Sequence, residues 1–330
     1  MKLNVIVPTY NRAALLKKTL LSLAIAELPP DFEVVVTVVD NNSTDETKAV
    51  VEEMKPEFEK VKLEYLFEAR QGKSYALNSG IERADGDLVT CIDDDEQIAV
   101  DWYVELEKVF RERGAALDFV GGKVLPEWEC EPPDWVEPLK EGVIGWRDYG
   151  DAEWEYGAGT PILSGGHSVF KRKVFNEVGL LIHGIGPTGK NLMGCEDDMI
   201  YDKILSAGMR GIYCPRLVVY HFVPKYRLSK SYFHQWCFAA GASYDAVDAN
   251  YKKFEGARLF GVPRYLYRDA FVNLLGKFKT AVTRDKTASL ARENKILVFA
   301  GYFYSRNLKG GWLDKPLQSI AKKTVKAEER

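Results

Sequence analysis

The first 95 residues alternate short apolar runs with amphipathic segments, and this alternation limits the possible folds more than any other feature of the sequence. These runs predict a buried strand at residues 3–7, a Val-rich strand at 33–39 and two further strands at 61–67 and 88–92. The segments between them predict helices at residues 11–28, from residue 43 onward, and at 74–84. Strands separated by helices pair in parallel through right-handed crossovers. We therefore expect an α/β, Rossmann-like fold, with a mostly parallel sheet covered by helices on both faces.

Polar residues mark the expected starts of two of these helices. Asn11 is of a type that caps helix N-termini, and it precedes the first helical pattern. Ser43-Thr44-Asp45-Glu46 has the spacing of a capping box, in which the first and fourth residues satisfy each other's backbone N–H groups. Both signals predict where a helix begins.

The rest of the chain has a weaker pattern. Residues 121–159 contain several tryptophans and no clear period, which predicts a long functional loop. Short strands are expected at 164–170 and 217–220, and helices at 196–207 and beyond Ser229. One apolar helix face is predicted near the C-terminus, made by Tyr267, Ala270, Phe271, Leu274, Leu275 and Phe278. We expect two parts: an α/β domain at residues 1–223 and a basic, mostly helical C-terminal region at 224–330.

Charge is distributed unevenly along the chain. The 330 residues carry 45 Lys/Arg and 48 Asp/Glu, a net charge of −3, which argues against a general nucleic-acid binder. Residues 224–330, however, contain 21 Lys/Arg against 9 Asp/Glu. This excess predicts contact with an anionic partner, such as a membrane surface or phosphates. The alternative is that the two parts attract each other across an internal interface.

The cysteines and the apolar runs predict the cellular location of the protein. The 5 cysteines are widely spaced and include no CxxC pair, so a disulfide framework and a thiolate zinc site are both disfavoured, and a reducing cytoplasm fits best. The apolar start ends at Pro8, which is too short for a signal peptide. The apolar run at 296–304 is about half of the ~20 residues that cross a bilayer. We expect a cytoplasmic protein that at most lies on the inner membrane face.

Polar side chains follow three of the predicted strands. In parallel α/β sheets, ligands bind beyond the carboxyl ends of the strands, so these residues predict a site at that edge. They are Thr9, Tyr10 and Asn11 after the first strand, Asp40 after the second and Asp93-Asp94-Asp95 after the fourth. No glycine-rich phosphate loop follows the first strand, which disfavours a nicotinamide enzyme or a P-loop nucleotidase. Asp40 could form a hydrogen bond with a nucleotide base or ribose.

Asp93-Asp94-Asp95 places three carboxylates side by side. Such groups repel each other, and a fold keeps them only with a compensating cation or positive partners. Alternate strand residues point the same way, so Asp93 and Asp95 can share a face. Their oxygens suit Mg²⁺ or Mn²⁺. Two interpretations stay open: a metal site, or a solvated acidic turn in which Asp95 or Glu96 caps a helix.

Two later residues have both a structural and a functional interpretation. Asp197 opens a predicted helix, where a carboxylate either favours the helix dipole or acts as a general base toward a hydroxyl. His221 ends a predicted strand, where it is either a hydrogen-bonded structural residue or part of a carboxylate-bound metal site. Three basic residues that could meet a diphosphate follow it, namely Lys225, Arg227 and Lys230.

Taken in order, these segments resemble glycosyltransferase family 2, the inverting GT-A nucleotide-sugar transferases. The resemblance is carried by residues 5–12 (VIVPTYNR), 38–45 (VVDNNSTD), 72–81 (GKSYALNSGI), 85–87 (DGD), 92–95 (IDDD), 164–166 (SGG), 170–172 (FKR) and 196–197 (ED). Each piece alone is a weak signal, but their order and spacing are specific. The helical C-terminal third lies outside the shared pattern, so the resemblance implies a GT-A fold with a helical C-terminal extension.

The resemblance implies a role for each matching position. The donor nucleotide, usually UDP, would be bound by Pro8, Thr9, Tyr10 and Asp40, with Arg70 and Lys73 at the border of the pocket. The DxD motif would be Asp93 to Asp95, with Asp95 as the direct metal ligand, Asp93 and His221 beside the metal, and Asp93 or Asp94 reaching the ribose. Asp197 would be the catalytic base. His167 departs from the family pattern, because many relatives carry Asn there, in a loop that borders the sugar pocket.

These roles imply a metal-dependent inverting glycosyltransferase that uses Mg²⁺ or Mn²⁺. It would move a sugar from a nucleotide-diphosphate donor, a UDP-sugar, to a hydroxyl of a saccharide or lipid-linked acceptor in polysaccharide or glycoconjugate biosynthesis. The alternatives are a sugar-1-phosphate nucleotidyltransferase and a non-catalytic sugar-nucleotide-binding subunit of a synthase. For the basic helical region we expect peripheral contact with an anionic membrane or lipid-linked acceptor, or else packing on the catalytic domain or dimerisation.

Overall fold

The structure is a computed structural model that describes residues 1–139, 142–182, 196–251 and 253–310, with only the backbone described at 196–198 and 281. The strands in this part of the chain are β1 Lys2–Thr9, β2 Glu33–Asp40, β3 Lys62–Phe67, β4 Leu88–Cys91, β5 Glu96–Ile98, β6 Phe119–Trp128, β7 Trp154–Glu155, β8 Val169–Lys171, β9 Gly211–Val223, β10 Arg258–Leu259 and β11 Val262–Pro263. The helices are α1 Ala13–Ile25, α2 Thr47–Met54, α3 Lys73–Arg83, α4 Trp102–Arg113, α5 Arg172–Val178, α6 Glu196–Ser206, α7 Lys230–Asn250, α8 Arg264–Thr283 and α9 Lys286–Asn307.

The chain divides into two compact units. Within the described residues, the first unit comprises 1–127, 145–182 and 196–222. The second comprises 128–139, 142–144, 223–251 and 253–310. The first unit contains the sheet and its flanking helices, and the second contains α7, α8 and α9 with the β10–β11 hairpin.

The sheet of the first unit is mixed. Its strands lie in the order β3-β2-β1-β4-β8-β6-β9-β5, and β7 pairs with β9. The strands β3, β2, β1 and β4 are parallel, as the alternation of strands and helices predicts. From β8 onward the observed pairings are antiparallel, including β4 with β8, β6 with β8 and β5 with β9. The expectation of a mostly parallel sheet therefore holds for the N-terminal half only.

Apolar side chains cover both faces of this sheet, as expected. On β1, Leu3, Val5 and Val7 belong to one buried cluster, which also includes residues of α1 and α4. Ile6 belongs to the other cluster, with residues of α3, α5 and α6. The alternation follows from the two-residue period of a strand, and a strand buried on both faces reads as a continuous apolar run.

Residues 121–159 are only partly the loop that the sequence predicts. The ten-residue strand β6 runs from Phe119 to Trp128 and is therefore part of the sheet. Gly121 and Gly122 hide it from pattern analysis, because glycine weakens a strand signal. They are required by close packing: a Cβ at Gly122 would lie 2.0 Å from the Leu217 carbonyl oxygen.

The two expected helix caps are wrong in detail. Asn11 has a left-handed φ of 53° and its side chain accepts from the Thr44 backbone N–H at 2.7 Å, so it is not the cap of α1. Asp45 instead serves both helix starts. Its Oδ2 accepts from the Ala13 N–H at 3.0 Å and its Oδ1 from the Thr47 N–H at 3.1 Å. One carboxylate thus satisfies first-turn donors of α1 and α2.

The second unit is built on close contact between α7 and α9. A Cβ at Gly241 of α7 would lie 1.9 Å from the Val298 carbonyl oxygen, and one at Gly301 of α9 would lie 1.9 Å from the Phe238 carbonyl oxygen. α8 packs against α9 as well. Within the described residues, no helix has the length and apolar character needed to cross a membrane.

Candidate active site

The predicted site residues meet where β1, β2 and β4 end. The parallel register places Thr9 opposite Asp40 on β1 and β2, and the acidic triplet begins two residues after the end of β4. The Thr9 hydroxyl donates to Asp94 Oδ2 at 2.8 Å, which joins two of the predicted positions across 85 residues of sequence. The sheet edge that the strand pattern predicts is therefore the place where these side chains converge.

Asp94 is the most enclosed of the three aspartates, at 5% exposed. Burial raises the pKa of its carboxyl to about 6, and the nearby Arg12 opposes that rise. Arg12 Nη1 lies 2.9 Å from Asp94 Oδ1 and 2.9 Å from Asp95 Oδ2. The Arg12 side chain is 40% exposed; its partial desolvation favours the neutral form, but these carboxylates outweigh that effect and raise the Arg12 pKa. The pair of aspartates is thus held together by one guanidinium.

Asp93 faces a different cation. Lys73, at the start of α3, places its Nζ 2.7 Å from Asp93 Oδ1. The Asp93 backbone N–H donates to Glu96 Oε2 at 3.1 Å. A Cβ at Gly166 would lie 3.1 Å from Asp93 Oδ2, so the Gly165–His167 turn rests directly against this carboxylate. Asp93 is therefore the aspartate that joins the triplet to α3 and to that turn.

Asp95 lies beside His221. The His221 Nε2 to Asp95 Oδ1 distance is 3.6 Å, and the Phe222 backbone N–H donates to the Asp95 carbonyl oxygen at 2.8 Å. β5 pairs with β9 so that Glu96 is opposite His221. His221 lies inside the long strand β9 rather than at the end of a short one, because β9 continues to Val223.

The donor chemistry of these residues fits a divalent cation. Within the described residues, no three His, Cys, Asp or Glu side chains form a metal-holding group by themselves. Mg²⁺ in nucleotide-dependent enzymes, however, is usually held by one or two carboxylates together with substrate phosphates and water. Asp95 with His221 offers one carboxylate and one imidazole of this kind, and Mn²⁺ accepts both ligand types.

Glu96 is a buried acid next to this cluster, which the sequence analysis considered only as a possible helix cap. It is 3% exposed, and burial raises its pKa well above the ordinary value, with Asp93 adding to the rise. Glu96 begins β5, so it does not cap a helix, which removes one form of the acidic-turn interpretation. The run of four consecutive acids was the available sequence signal.

Asp40, to which the resemblance gives a nucleotide-binding role, is the last residue of β2. Asp40 is 3% exposed; its Oδ1 accepts from the Ser43 N–H at 2.8 Å and its Oδ2 from the Tyr65 hydroxyl at 2.7 Å. Burial and the bond to Asp40 raise the pKa of Tyr65. Pro8 is buried within β1, whereas Tyr10 is 38% exposed beyond its end. Tyr65 was missed because its partner lies on a neighbouring strand, which a linear sequence does not reveal.

Arg70 is held by Glu68. Arg70 Nη2 lies 2.7 Å from Glu68 Oε2, and its Nε lies 2.9 Å from Glu68 Oε1. This two-point contact with Arg70 lowers the pKa of Glu68 to about 2. The guanidinium also lies 4.9 Å from the ring centroid of Tyr75. The structure thus presents Arg70 in a fixed direction, and Glu68 is the positioning partner that the sequence did not identify.

His167 is a core residue. It is 1% exposed, and its Nε2 accepts a hydrogen bond from Trp102 Nε1 at 2.9 Å. Burial lowers the His167 pKa to about 3, so the ring is neutral at pH 7 and carries its proton on Nδ1. The departure from Asn at this position therefore puts a buried ring at the end of the Gly165–His167 turn, next to the Gly166 that lies against Asp93.

Asp197 cannot be placed with the others. Its backbone belongs to α6, as predicted, but its side chain lies outside the described residues. Its role as a catalytic base stays a prediction. Arg12, by contrast, was part of the matched motif without an assigned role, and its contacts with Asp94 and Asp95 give it one.

Comparison with known proteins decides the family. The sequence profile described as "Glycosyl transferase family 2" matches residues 4–179, more than half of the chain. The chain belongs to glycosyl transferase family 2. Members of this family are glycosyltransferases, and the protein is an enzyme of that class.

Two curated relatives of this family 2 chain differ in how much of it they match. The glucosyl-dolichyl phosphate glucuronosyltransferase of Haloferax volcanii is 27% identical over 312 residues, which cover 92% of this chain and 96% of the relative. The GalNAc(5)-diNAcBac-PP-undecaprenol beta-1,3-glucosyltransferase of Campylobacter jejuni is 37% identical over 97 residues. That match spans 29% of this chain and only 30% of the relative.

Two solved structures share the fold of this family 2 enzyme. The mannosyltransferase PcManGT of Pyrobaculum calidifontis, in complex with GDP-Man and Mn²⁺, has a TM-score of 0.53 at 23% identity and covers 98% of this chain and 80% of its own. S. aureus TarS 1-349 in complex with UDP-GlcNAc has a TM-score of 0.51 at 16% identity, with coverage of 94% and 93%. These similarities confirm the predicted GT-A fold.

Proposed function

We propose that the protein is a metal-dependent inverting glycosyltransferase. It transfers a sugar from a nucleotide-diphosphate donor, a UDP-sugar, to a hydroxyl of a saccharide or lipid-linked acceptor in polysaccharide or glycoconjugate biosynthesis. The observation that carries this proposal is the convergence of Thr9, Arg12, Asp94, Asp95 and His221 at the end of the parallel strands. The mannosyltransferase with GDP-Man and Mn²⁺ and the lipid-linked substrates in the relatives' names support it.

The donor is assigned to the edge formed by β1, β2 and α3. Pro8, Thr9, Tyr10 and Asp40 take the base and ribose, with Arg70 and Lys73 at the border. Asp40 is already oriented by Tyr65 and Ser43, which leaves its remaining lone pairs for a ligand N–H. Asp94 contacts Thr9 and Arg12, whereas Asp93 contacts Lys73. The two aspartates therefore have different roles in the proposed site.

Mg²⁺ or Mn²⁺ is assigned to Asp95, His221 and Asp93. When bound, the ion would neutralise charge that grows on the departing diphosphate. Arg12 and Lys73 already supply positive charge beside the same carboxylates. These two cations therefore stabilise the three adjacent carboxylates before the donor binds.

The reaction is proposed as one displacement. Asp197 accepts the proton of the acceptor hydroxyl as that oxygen bonds to the anomeric carbon. The bond from that carbon to the diphosphate breaks on the opposite face, and the nucleoside diphosphate leaves with the bonding electrons. The anomeric centre is inverted, and no covalent sugar–enzyme species forms, unlike in a retaining hydrolase with its second carboxylate nucleophile.

The proposal also covers the organisation of the chain. Residues 1–223 form the catalytic domain, and residues 224–330 form a basic region that makes peripheral contact with a membrane on its cytoplasmic face. The excess of Lys and Arg in that region supports this assignment.

Nucleoside-diphosphate release tests the proposal. UDP- and GDP-sugars are screened first for metal-dependent thermal stabilisation, because a ligand of the folded state raises apparent stability. Release is then measured with saccharide and lipid-phosphate acceptors, with and without Mg²⁺ or Mn²⁺. We expect metal-dependent release in the wild type and in Asp101→Asn, an exposed control, and its loss in Asp95→Ala and Asp197→Ala. Turnover retained in both of these variants would refute the mechanism, and release of pyrophosphate would indicate a nucleotidyltransferase.

A further inference from the structure

One face of α8 exposes large apolar side chains to solvent. We call it the α8 stripe, and its members are Phe271 (60% exposed), Leu274 (50%), Leu275 (52%), Phe278 (69%) and Val282 (85%). They recur at i, i+3, i+4, i+7 and i+11, which places them along one side of a helix. Contiguous exposed apolar surface of this kind marks an interaction site more often than scattered apolar residues do.

The opposite side of α8 packs against α9 in the second unit. Lys277 Nζ lies 2.8 Å from Glu293 Oε1 of α9, and Thr280 is buried. Residues nine apart on a helix lie about 180° apart, so Thr280 and Phe271 point in opposite directions. The stripe is therefore additional to the contact that folds α8 onto the unit.

The tip of the β10–β11 hairpin adds to this apolar surface. Phe260 is 72% exposed and Leu259 49%. Tyr267, four residues before Phe271, donates from its hydroxyl to the Leu259 carbonyl oxygen at 2.9 Å, which ties the tip to α8. Phe260 has a φ of 48°, an unfavourable conformation for a bulky residue. An exposed ring at a strained turn position contributes little to folding. Contact with a binding partner therefore explains the aromatic residue at position 260 better than folding does.

Exposed basic residues surround the stripe. They are Arg264, Arg268, Lys279, Arg284 and Lys286. The acids nearby are Asp269, which pairs with Arg268, and Asp285, which accepts from the Ala288 N–H as the cap of α9. The rim is therefore net positive, which complements an anionic surface.

We propose that the α8 stripe and the hairpin tip dock in the interface of an anionic lipid membrane, with the basic rim against the headgroups. A narrow apolar stripe flanked by Lys and Arg on a helix that does not span a bilayer is the pattern of an interfacial helix. The inference rests on the membrane contact of the proposed function and specifies the surface that makes it.

Vesicle flotation tests the inference without depending on catalysis. The full chain is mixed with vesicles of phosphatidylcholine alone or of phosphatidylcholine with phosphatidylglycerol. We expect binding to the anionic vesicles only, weakened by salt. Phe271→Ser/Leu275→Ser/Phe278→Ser should reduce that binding at least about tenfold. The matched control, Leu21→Ser/Ile25→Ser/Val100→Ser, removes exposed apolar side chains of the first unit and should bind like the wild type.

Two further measurements separate the outcomes. Metal-dependent hydrolysis of donor in solution should be equal in the stripe variant and the wild type, so loss of lipid binding with intact hydrolysis supports the inference. Absence of wild-type binding, or unchanged binding in the stripe variant, overturns it even if the enzyme is active. Size-exclusion chromatography that shows a wild-type dimer and a monomeric stripe variant, neither of which floats with vesicles, would assign the stripe to a second copy of the chain and also overturn it.

Discussion

Arg12 Nη1 lies 2.9 Å from Asp94 Oδ1 and 2.9 Å from Asp95 Oδ2, so one guanidinium bridges two buried carboxylates. Buried charges of one sign are costly unless they are paired. Arg12, which follows β1, therefore stabilises the two adjacent buried acids Asp94 and Asp95, which follow β4. This relationship connects the folding of the sheet edge to the proposed metal chemistry.

Replacing Arg12 should destabilise the protein and make its stability depend on metal. Arg12→Gln leaves Asp94 and Asp95 buried without their cation, and removal of one partner from such a cluster costs about 3–5 kcal/mol. Mn²⁺ should recover part of this loss, since it supplies the missing charge. Urea unfolding with and without Mn²⁺ measures both effects.

The matched control for Arg12→Gln is Lys17→Gln. Lys17 pairs with Glu53 at 2.7 Å, but both side chains are largely exposed, so the expected loss is below about 1 kcal/mol and insensitive to Mn²⁺. An Arg12→Gln protein as stable as this control, or equally unstable with and without Mn²⁺, would contradict the bridging role.

Replacing Asp197 should slow the chemical step and leave donor binding intact. Loss of a general base lowers turnover by about 10²–10⁴-fold. For Asp197→Asn we expect kcat to fall by that factor while KM for the donor stays the same, as steady-state kinetics with saturating acceptor would show. A raised donor KM with unchanged kcat would assign Asp197 to donor binding instead.

The parallel half of the sheet was predictable because its signals are local. β1, β2 and β4 are short, mainly apolar runs, and the site residues lie at their carboxyl ends or just beyond them. The geometry of parallel strands then brings Thr9 to Asp94 without any knowledge of the rest of the chain. The order and spacing of the motifs also predicted the family, and the profile match over residues 4–179 confirmed it.

The features that were missed depend on contacts distant in sequence. β6 was hidden because Gly121 and Gly122 break its apolar pattern, and those glycines are explained only by packing against β9 and the segment around Leu163. The pairing of Tyr65 with Asp40 is likewise a contact between neighbouring strands. The apolar face of α8 was predicted, but periodicity alone does not show whether such a face is buried or exposed.

Adding a methyl group between α7 and α9 should destabilise the second unit. Alanine normally favours a helix over glycine. At Gly241 and Gly301, however, the new Cβ would lie 1.9 Å from a backbone carbonyl oxygen of the partner helix. We expect Gly241→Ala and Gly301→Ala each to lower the free energy of unfolding by about 1–3 kcal/mol, measured by urea denaturation.

Gly157→Ala is the control for these helix variants, because no atom lies within 4 Å of the added Cβ. Its expected effect is within about 0.5 kcal/mol. Unchanged stability in Gly241→Ala and Gly301→Ala would show that α7 and α9 are not packed as closely as described.

Asp248 should make the stability of the second unit sensitive to acid. Its Oδ2 lies 2.6 Å from Arg258 Nη1 and 2.9 Å from Arg306 Nη2, and the Tyr302 hydroxyl donates to it as well. The bonds from Arg258, more than any other contact, hold the pKa of Asp248 well below its usual range. The carboxylate is 2% exposed and joins α7, the hairpin and α9.

A lowered pKa in the folded state stabilises the protein above the pKa of Asp248 in the unfolded chain, about 3.9, and this contribution is lost as the pH falls below that value.

We expect Asp248→Asn to lower the free energy of unfolding by about 3–5 kcal/mol at pH 7, because it leaves Arg258 without its carboxylate partner. The difference from the wild type should shrink at pH 3, where Asp248 is mostly protonated in the unfolded state. Asp269→Asn, which removes an exposed pair with Arg268, should cost less than about 1 kcal/mol at both pH values. Urea unfolding at pH 7 and pH 3 measures these differences, and an equal loss in Asp248→Asn at both would show that the carboxylate's charge is not what stabilises the unit.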